Sequence, residues 1–498
     1  SVIGGGLNNT ISGNSTNSSI LGGQSNIINH SNSHIIGSNI TSVSTNTTHV
    51  EKLNIKTLNG TTAVTALALD ADGMVVDGTS LDGVGAFTHV ASGIITPTNA
   101  YGNVNYSDYS SILGGIGNSI SGSSNNIGSV IVGGLTNSIS LFNGSAIIGG
   151  GVLNIINSTG SIIGGGERNE IKENSSFFSN ISGGRFNLIS SSESVIAGGR
   201  SNEIGLSSDN SIIAGGRGNT ISASTWSAIV GGDTNNITDS TVSFIGGGFH
   251  NTVSGSSHSF IGGGITNDIE LLSFNSVIGG GELNVITGAR KSFIGAGERN
   301  EISVFNSFIG SGYENKIIST SAFSKENSII GGRLNLIEGV SFVSTIVGGS
   351  NNTITGGTSS TIGGGKTNII KSSFSTVGGG RDNVIEAYHG FIGGGDDNHI
   401  VDGVKSIIGG GERNEIHEPY SFIGGGLYNR IQTSNNGNNN SIVGGTANIV
   451  SGLLSTVGGG KNNHIITGWA NTIAGGYDNT TNSGGKNIIG GGDNNTIN

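Results

Sequence analysis

One eleven-residue phrase, S-x-I-x-G-G-x-x-N-x-I, runs through almost the whole chain and leaves it few ways to fold. SIIGGGERNEI stands unchanged at Ser161 to Ile171 and again at Ser406 to Ile416. Clear copies begin at Ser1 and Ser18 and then follow one another from Ser110 to Asn487, 26 in all, with a degenerate copy at Ser33. They start 15 to 20 residues apart, yet the eleven-residue core keeps its length, so every insertion falls after the second isoleucine. A fixed period with its slack confined to one place is the mark of a solenoid, whose cross-section is set by packing and whose insertions leave at one corner.

The phrase also selects strand over helix. Glycine costs about 1 kcal/mol per helical residue, and the apolar positions recur with period two, not 3.6. With 93 glycines, 2 prolines and 11% charged residues, the composition alone would suit a disordered chain. Disorder, however, gives no reason to hold isoleucines at fixed offsets from glycines. The expected fold is therefore all-β, a parallel β-solenoid with coils of about 16 residues. S-x-I-x forms a first strand, the Gly-Gly pair bends, and N-x-I forms a second.

Period two assigns the faces. The third position, nearly always Ile or Val (Ile163, Ile196, Ile245, Ile408), shares the coil interior with the small first residue. The second and fourth positions point outward and are also apolar, as in Val130 with Val132, or in Phe244, Phe260, Phe293 and Phe422 with glycine following. A strand apolar on both sides is expected to be covered on both sides, so these residues are candidates for an oligomer interface. The tenth position (Glu170, Glu203, Thr220, Lys316, Arg430) reads as solvated. The ninth-position asparagines, Asn169, Asn219, Asn267, Asn300, Asn368 and Asn414, face inward and are expected to stack as a structural amide ladder between coils.

Short glycine-punctuated coils of the type S-V-I-x-G, often with an aromatic just before the serine (Tyr109, Trp226, Phe374, Tyr420), resemble the head repeats of YadA-like trimeric autotransporter adhesins and of related trimeric viral and phage fibres. The resemblance extends over residues 1–48 and 110–498. It implies left-handed coils, three chains intertwined or packed side by side as a homotrimer, and a place outside the cell, on a cell or virion surface. The longer coil, the Gly-Gly-Gly bend and the regular asparagine depart from the bacterial motif.

Residues 49–109 do not repeat. Leu67 and Leu69 alternate with Met74 and Val76 around Asp70-Ala71-Asp72-Gly73, which predicts a hairpin. An EF-hand reading of that D-x-D-G fails because Leu81 stands where loop position twelve needs an acid. The expected organisation is thus solenoid over 1–48, a β insertion over 49–109, and solenoid over 110–498.

The remaining patterns favour structure over chemistry. Glu167 with Glu170, Glu298 with Glu301, and Glu412 with Glu415 are spaced like glycosidase acids, but each pair has an arginine within it to neutralise it. His30 and His34 would lie far apart on an extended chain, and GGGKT at Gly363 to Thr367 lacks the leading glycine of a phosphate loop, Ser360 standing there. A net charge of -11 with no run of five like charges points to no nucleic-acid partner, and no apolar stretch reaches the length of a membrane span. The expectation is a non-enzymatic structural and adhesive surface fibre without cofactor or metal, self-associating and able to meet a host surface glycan or protein. Its rivals are a phage or virus tailspike that binds or cleaves glycan, and an extracellular filament with no receptor.

Overall fold

The computed structural model describes residues 1–498 other than 14, 51–65, 70–74, 78–86, 91–93, 98–101, 108–109, 123–127, 142–143, 173–176, 322 and 434–438. The described chain is all-β with no helix, a parallel β-solenoid of about 26 turns with coils of about 16 residues. It divides into two segments, Ser1–Gly134 and Leu135–Asn498.

In Leu135–Asn498 the coils contribute strands of two to four residues to two parallel sheets. The serine-led sheet stacks Ile163 on Ile181, Ile196 and Ile213, and the asparagine-led sheet stacks Ile171 on Ile189, Ile204 and Ile221, all in register. These isoleucines are fully buried and form the core. Backbone bonds such as Ile162 N to Ser179 O (2.9 Å) and Gly164 N to Ile181 O (2.9 Å) join the coils.

The bend is longer than the sequence implies. Between the sheets the seventh residue makes its own backbone bridge to the coils on either side, as in Glu167 with Val152 and Arg185. The eighth residue then turns left-handed, with φ 54° at Arg168 and 58° at Phe186. A second left-handed residue precedes each serine, among them Phe178, Trp226, Phe374 and Tyr420. Such a conformation costs a non-glycine residue about 1–2 kcal/mol. Inter-coil bonds hold it, from Arg168 N to Val152 O (2.8 Å) and from Trp226 N to Asp209 O (3.0 Å). Side chains leave the coil freely at both corners, which is why bulky residues occupy them.

In Ser1–Gly134, parallel strands Val2–Ile3, Ser19–Ile20, His34–Ile36 and Thr48–Val50 stack in one sheet, and Thr10–Ile11 stacks on Ile27–Ile28. Ile20, Ile28 and Ile35 form the core beneath them. Ala66–Leu69 pairs antiparallel with Val75–Asp77, Leu69 opposite Val75, and with Phe87–Val90. The turn, Asp70 to Met74, lies outside the described residues. Ile94–Pro97 pairs antiparallel with Phe87–Val90 and parallel with Ser111–Ile112. Thr48–Val50 and Val104–Asn105 both join parallel ladders, so solenoid pairing reaches into the non-repeating stretch from both sides.

Candidate interaction surface

Three ladders satisfy the polar interior. Asn169 Nδ2 donates to Asn154 Oδ1 (3.1 Å), to Gly165 O in its own bend (3.0 Å) and to Gly184 O in the next coil (2.9 Å). Its Oδ1 accepts from the backbone N and Nδ2 of Asn187, both at 3.0 Å. Asn219, Asn267, Asn300, Asn368 and Asn414 repeat the link to the preceding asparagine and are fully buried. Asn169 thus spends its amide and its oxygen on bonds within the chain.

The other two ladders use serine hydroxyls that the sequence reading took only for small side chains. Ser161 Oγ accepts from Ser179 N (3.1 Å), and Ser211 Oγ from Ser227 N (3.2 Å). At the variable corner Ser191, Ser208, Ser224 and Ser240 do the same for Ser208, Ser224, Ser240 and Ser256. The signal was present in the substitutions at position one. Asn327 and Asn440 replace serine there, and their Oδ1 atoms accept from Ser344 N and Ser455 N at 3.0 Å. Where Gly390 offers no acceptor, Ser406 N turns to Gly403 O (3.2 Å).

The outward side of the serine-led sheet is uncovered in the single chain and carries an apolar run at position two from Val195 to Phe308, between polar second positions such as Asn180, Ser328, Thr345, Thr361 and Thr376. Phe260, Phe293 and Phe422 are about 40% exposed (40%, 39% and 39%), and Phe244 is half-buried. In Ser1–Gly134, Val132 is 48% exposed and Val130 half-buried. Phe244 and Phe260 stack at 5.2 Å between centroids, as do Phe293 and Phe308 at 5.5 Å. Each phenylalanine at position two goes with glycine at position four, and its ring leans over that glycine. A Cβ added at Gly262 would lie 3.4 Å from the Phe260 ring and 2.2 Å from Gly279 O. Where position four is large (Val230, Ile330, Val443), position two is small (Ala228, Ser328, Ser441). In these coils the two positions trade volume, whereas Val130 with Val132 and Thr345 with Val347 fill both.

The asparagine-led sheet carries charge instead. Lys316 pairs with Glu301 (2.8 Å), Lys371 with Glu386 (2.7 Å), and Glu415 with His417 (2.6 Å) and Arg430. Glu167 pairs with Arg168 (3.1 Å) and Arg185 (2.8 Å), Glu298 with Arg299, and Glu412 with Arg413 (3.4 Å). Of the paired acids, Glu167, Glu298, Glu301, Glu412 and Glu415 are thus tied to neighbouring cations; partial burial raises the Glu415 carboxyl, and His417 with Arg430 together hold it below its ordinary range. Asp268 is the exception, raised by burial with Glu270 adding to the effect. His30 and His34 bond different serines, Ser42 (3.1 Å) and Ser19 (2.8 Å). Among the described residues no three His, Cys, Asp or Glu side chains converge as a metal site. A recess of about 220 Å³ at Gly288, Ser303, Val304 and Phe305 is lined by hydroxyls and holds no charged group.

The sequence reading also missed two exposed columns. At the variable corner Arg290 lies over Phe274 (5.2 Å) and Phe305 (5.9 Å), and Lys325 over Phe342 (5.7 Å). At the bend, the seventh residues form an unbroken column of charged and apolar side chains. Both appear once the copies are read down a single position. Comparison with known proteins matches this chain to no family model and to no curated protein.

Proposed function

We propose that the chain is a structural and adhesive surface fibre, non-enzymatic and extracellular, whose copies associate through the serine-led sheet as a homotrimer on a cell or virion surface. The carrying observation is the apolar run from Val195 to Phe308 along that sheet, with its stacked phenylalanines exposed in the single chain. Contiguous exposed apolar surface marks an association site, while the interior ladders meet their own polar needs and leave the coil rigid. The likeness of the coils to trimeric adhesin heads supports three copies. Attachment then comes from many weak contacts at exposed corners, whose combined avidity exceeds any single site.

Native mass in dilute buffer is the direct test. An oligomer, most simply a trimer, is expected, and the double substitution Phe244→Asp with Phe260→Asp should lower its mass. A monomeric mass for the unsubstituted chain would remove the association. Incubation with surface polysaccharides should retain protein on them without releasing sugar; new reducing ends would replace this reading with a glycan-cleaving tailspike, and no retention on any surface with a receptor-free filament.

A further inference from the structure

From Glu167 to Glu298 the seventh residues of nine consecutive coils are bridged one to the next: Glu167, Arg185, Arg200, Arg217, Asp233, Phe249, Ile265, Glu282, Glu298. One residue per coil sets them about 4.8 Å apart in register. Reversed, the column complements itself. Glu298 falls opposite Arg185, Glu282 opposite Arg200, Ile265 opposite Arg217 and Phe249 opposite Asp233, with the centre between Asp233 and Phe249. We infer that this edge docks on the same edge of a second, antiparallel copy about a twofold axis at that centre.

Three observations carry the assignment. First, Arg200 and Glu282 are exposed and form no ion pair among the described residues, whereas their neighbours Arg185 and Arg217 pair within the chain. The twofold gives each its missing partner, twice. Second, Phe249 and Ile265 stand 43% and 46% exposed at the middle of the column, opposite Arg217 and Asp233. Those two form a neutral pair (Nε to Oδ1 3.1 Å), so the apolar centre meets no lone charge. Third, the positive band spans only three coils and is closed at both ends by carboxylates, Glu167 and Asp233. A polyanion long enough to use it would run onto both. A twofold contact is self-complementary by construction, and this column meets that requirement along its length.

The docking lies at the bend, away from the serine-led face, so the two associations fail separately. Sedimentation mass at low and raised salt tests it with Phe244 and Phe260 intact. Arg185→Glu with Arg200→Glu, and separately Glu282→Arg with Glu298→Arg, should each weaken the association about a hundredfold. An equimolar mixture of the two variants should restore it, as should all four substitutions in one chain, and added salt should weaken the wild-type contact. No change in either variant, or a mixture that fails to associate, overturns the inference. So does heparin binding lost in the arginine variant while the mass stays constant, which would make the band a polyanion site. The chain has no cysteine, so orientation is readable by cross-linking. Phe249→Cys, beside the axis, should oxidise to a covalent dimer, and Ser350→Cys, further along the same column, should not. Equal cross-linking of both would mean parallel copies and overturn the twofold.

Discussion

The two bend glycines occupy different environments. A Cβ on Gly165 would meet nothing within 4 Å, and Ala296 and Ser311 already stand at the equivalent place in other coils. A Cβ on Gly166 would lie 2.0 Å from Gly184 O and 2.7 Å from Asn169 Nδ2, at a φ of 95°. Gly165→Ala should therefore change stability by under about 0.5 kcal/mol, and Gly166→Ala should cost about 2–4 kcal/mol, read as a lowered melting temperature. The asparagine belongs to the same device, since the Asn169 amide donates to Gly165 O in its own bend and to Gly184 O in the next. Asn267→Leu strands the N–H groups of Asn284 that now meet Asn267 Oδ1, and should cost about 1–3 kcal/mol. Unchanged melting across several such variants would mean the ladder contributes nothing. The inward asparagine was legible because period two fixes a side chain's face. The serine's role was not, because period two says nothing about what a hydroxyl meets in the next coil.

At the scale of strands, the sequence announced two apolar faces on the serine-led sheet, yet treated phenylalanine and glycine as independent choices. The ring of Phe260 leaning over Gly262 shows them to be one. Ala66–Leu69 and Val75–Asp77 pair antiparallel, but Leu69 lies opposite Val75 and Ala68 opposite Val76, so the alternation of Leu67 and Leu69 with Val76 missed the register; the bridge at position seven was not readable because it involves a single residue per coil. The charged face of the asparagine-led sheet carries a pH dependence. His399, half-buried there with Nε2 unpaired, is 3.9 Å from Glu386 and has Glu415, His417 and Lys371 around it. Burial lowers its pKa below 6.5 and outweighs the two carboxylates. The folded state thus resists protonation that the unfolded chain accepts. Stability is full above about pH 6.5 and falls as pH drops through the lowered value. His399→Phe should flatten that loss in chemical denaturation below about pH 6.5; an unaltered profile would assign it to the carboxylates.

At the scale of the molecule, each coil touches only its neighbours, so stability builds by nearest-neighbour increments. The two copies of SIIGGGERNEI sit 15 coils apart in one segment, about 70 Å at one strand spacing per coil, and serve as interchangeable storeys. That is why one phrase can be written twice. The solenoid class was legible because repetition is its cause. The division after Gly134 was not, because the copies run on from Ser110 through it without a change of wording. Association was legible only as a requirement: the apolar second position asks for a cover and does not say how many copies provide it.

The asparagine ladder has a direction. Every Oδ1 from Asn154 to Asn169 to Asn187 faces the coil that follows, and every amide N–H it receives comes from there. The backbone runs the other way, with N–H groups such as those of Ile162, Gly164, Glu167 and Glu170 donating to the coil that follows. The serine oxygens point the same way as the asparagine oxygens. The two ladders thus give residues 135–498 a sense along the stacking axis, with the accepting side-chain oxygens toward the higher-numbered coils. Copies laid side by side in the same sense bring like ends of these ladders together, and copies laid antiparallel across a twofold bring unlike ends together, so which ends meet reports the sense in which the members lie.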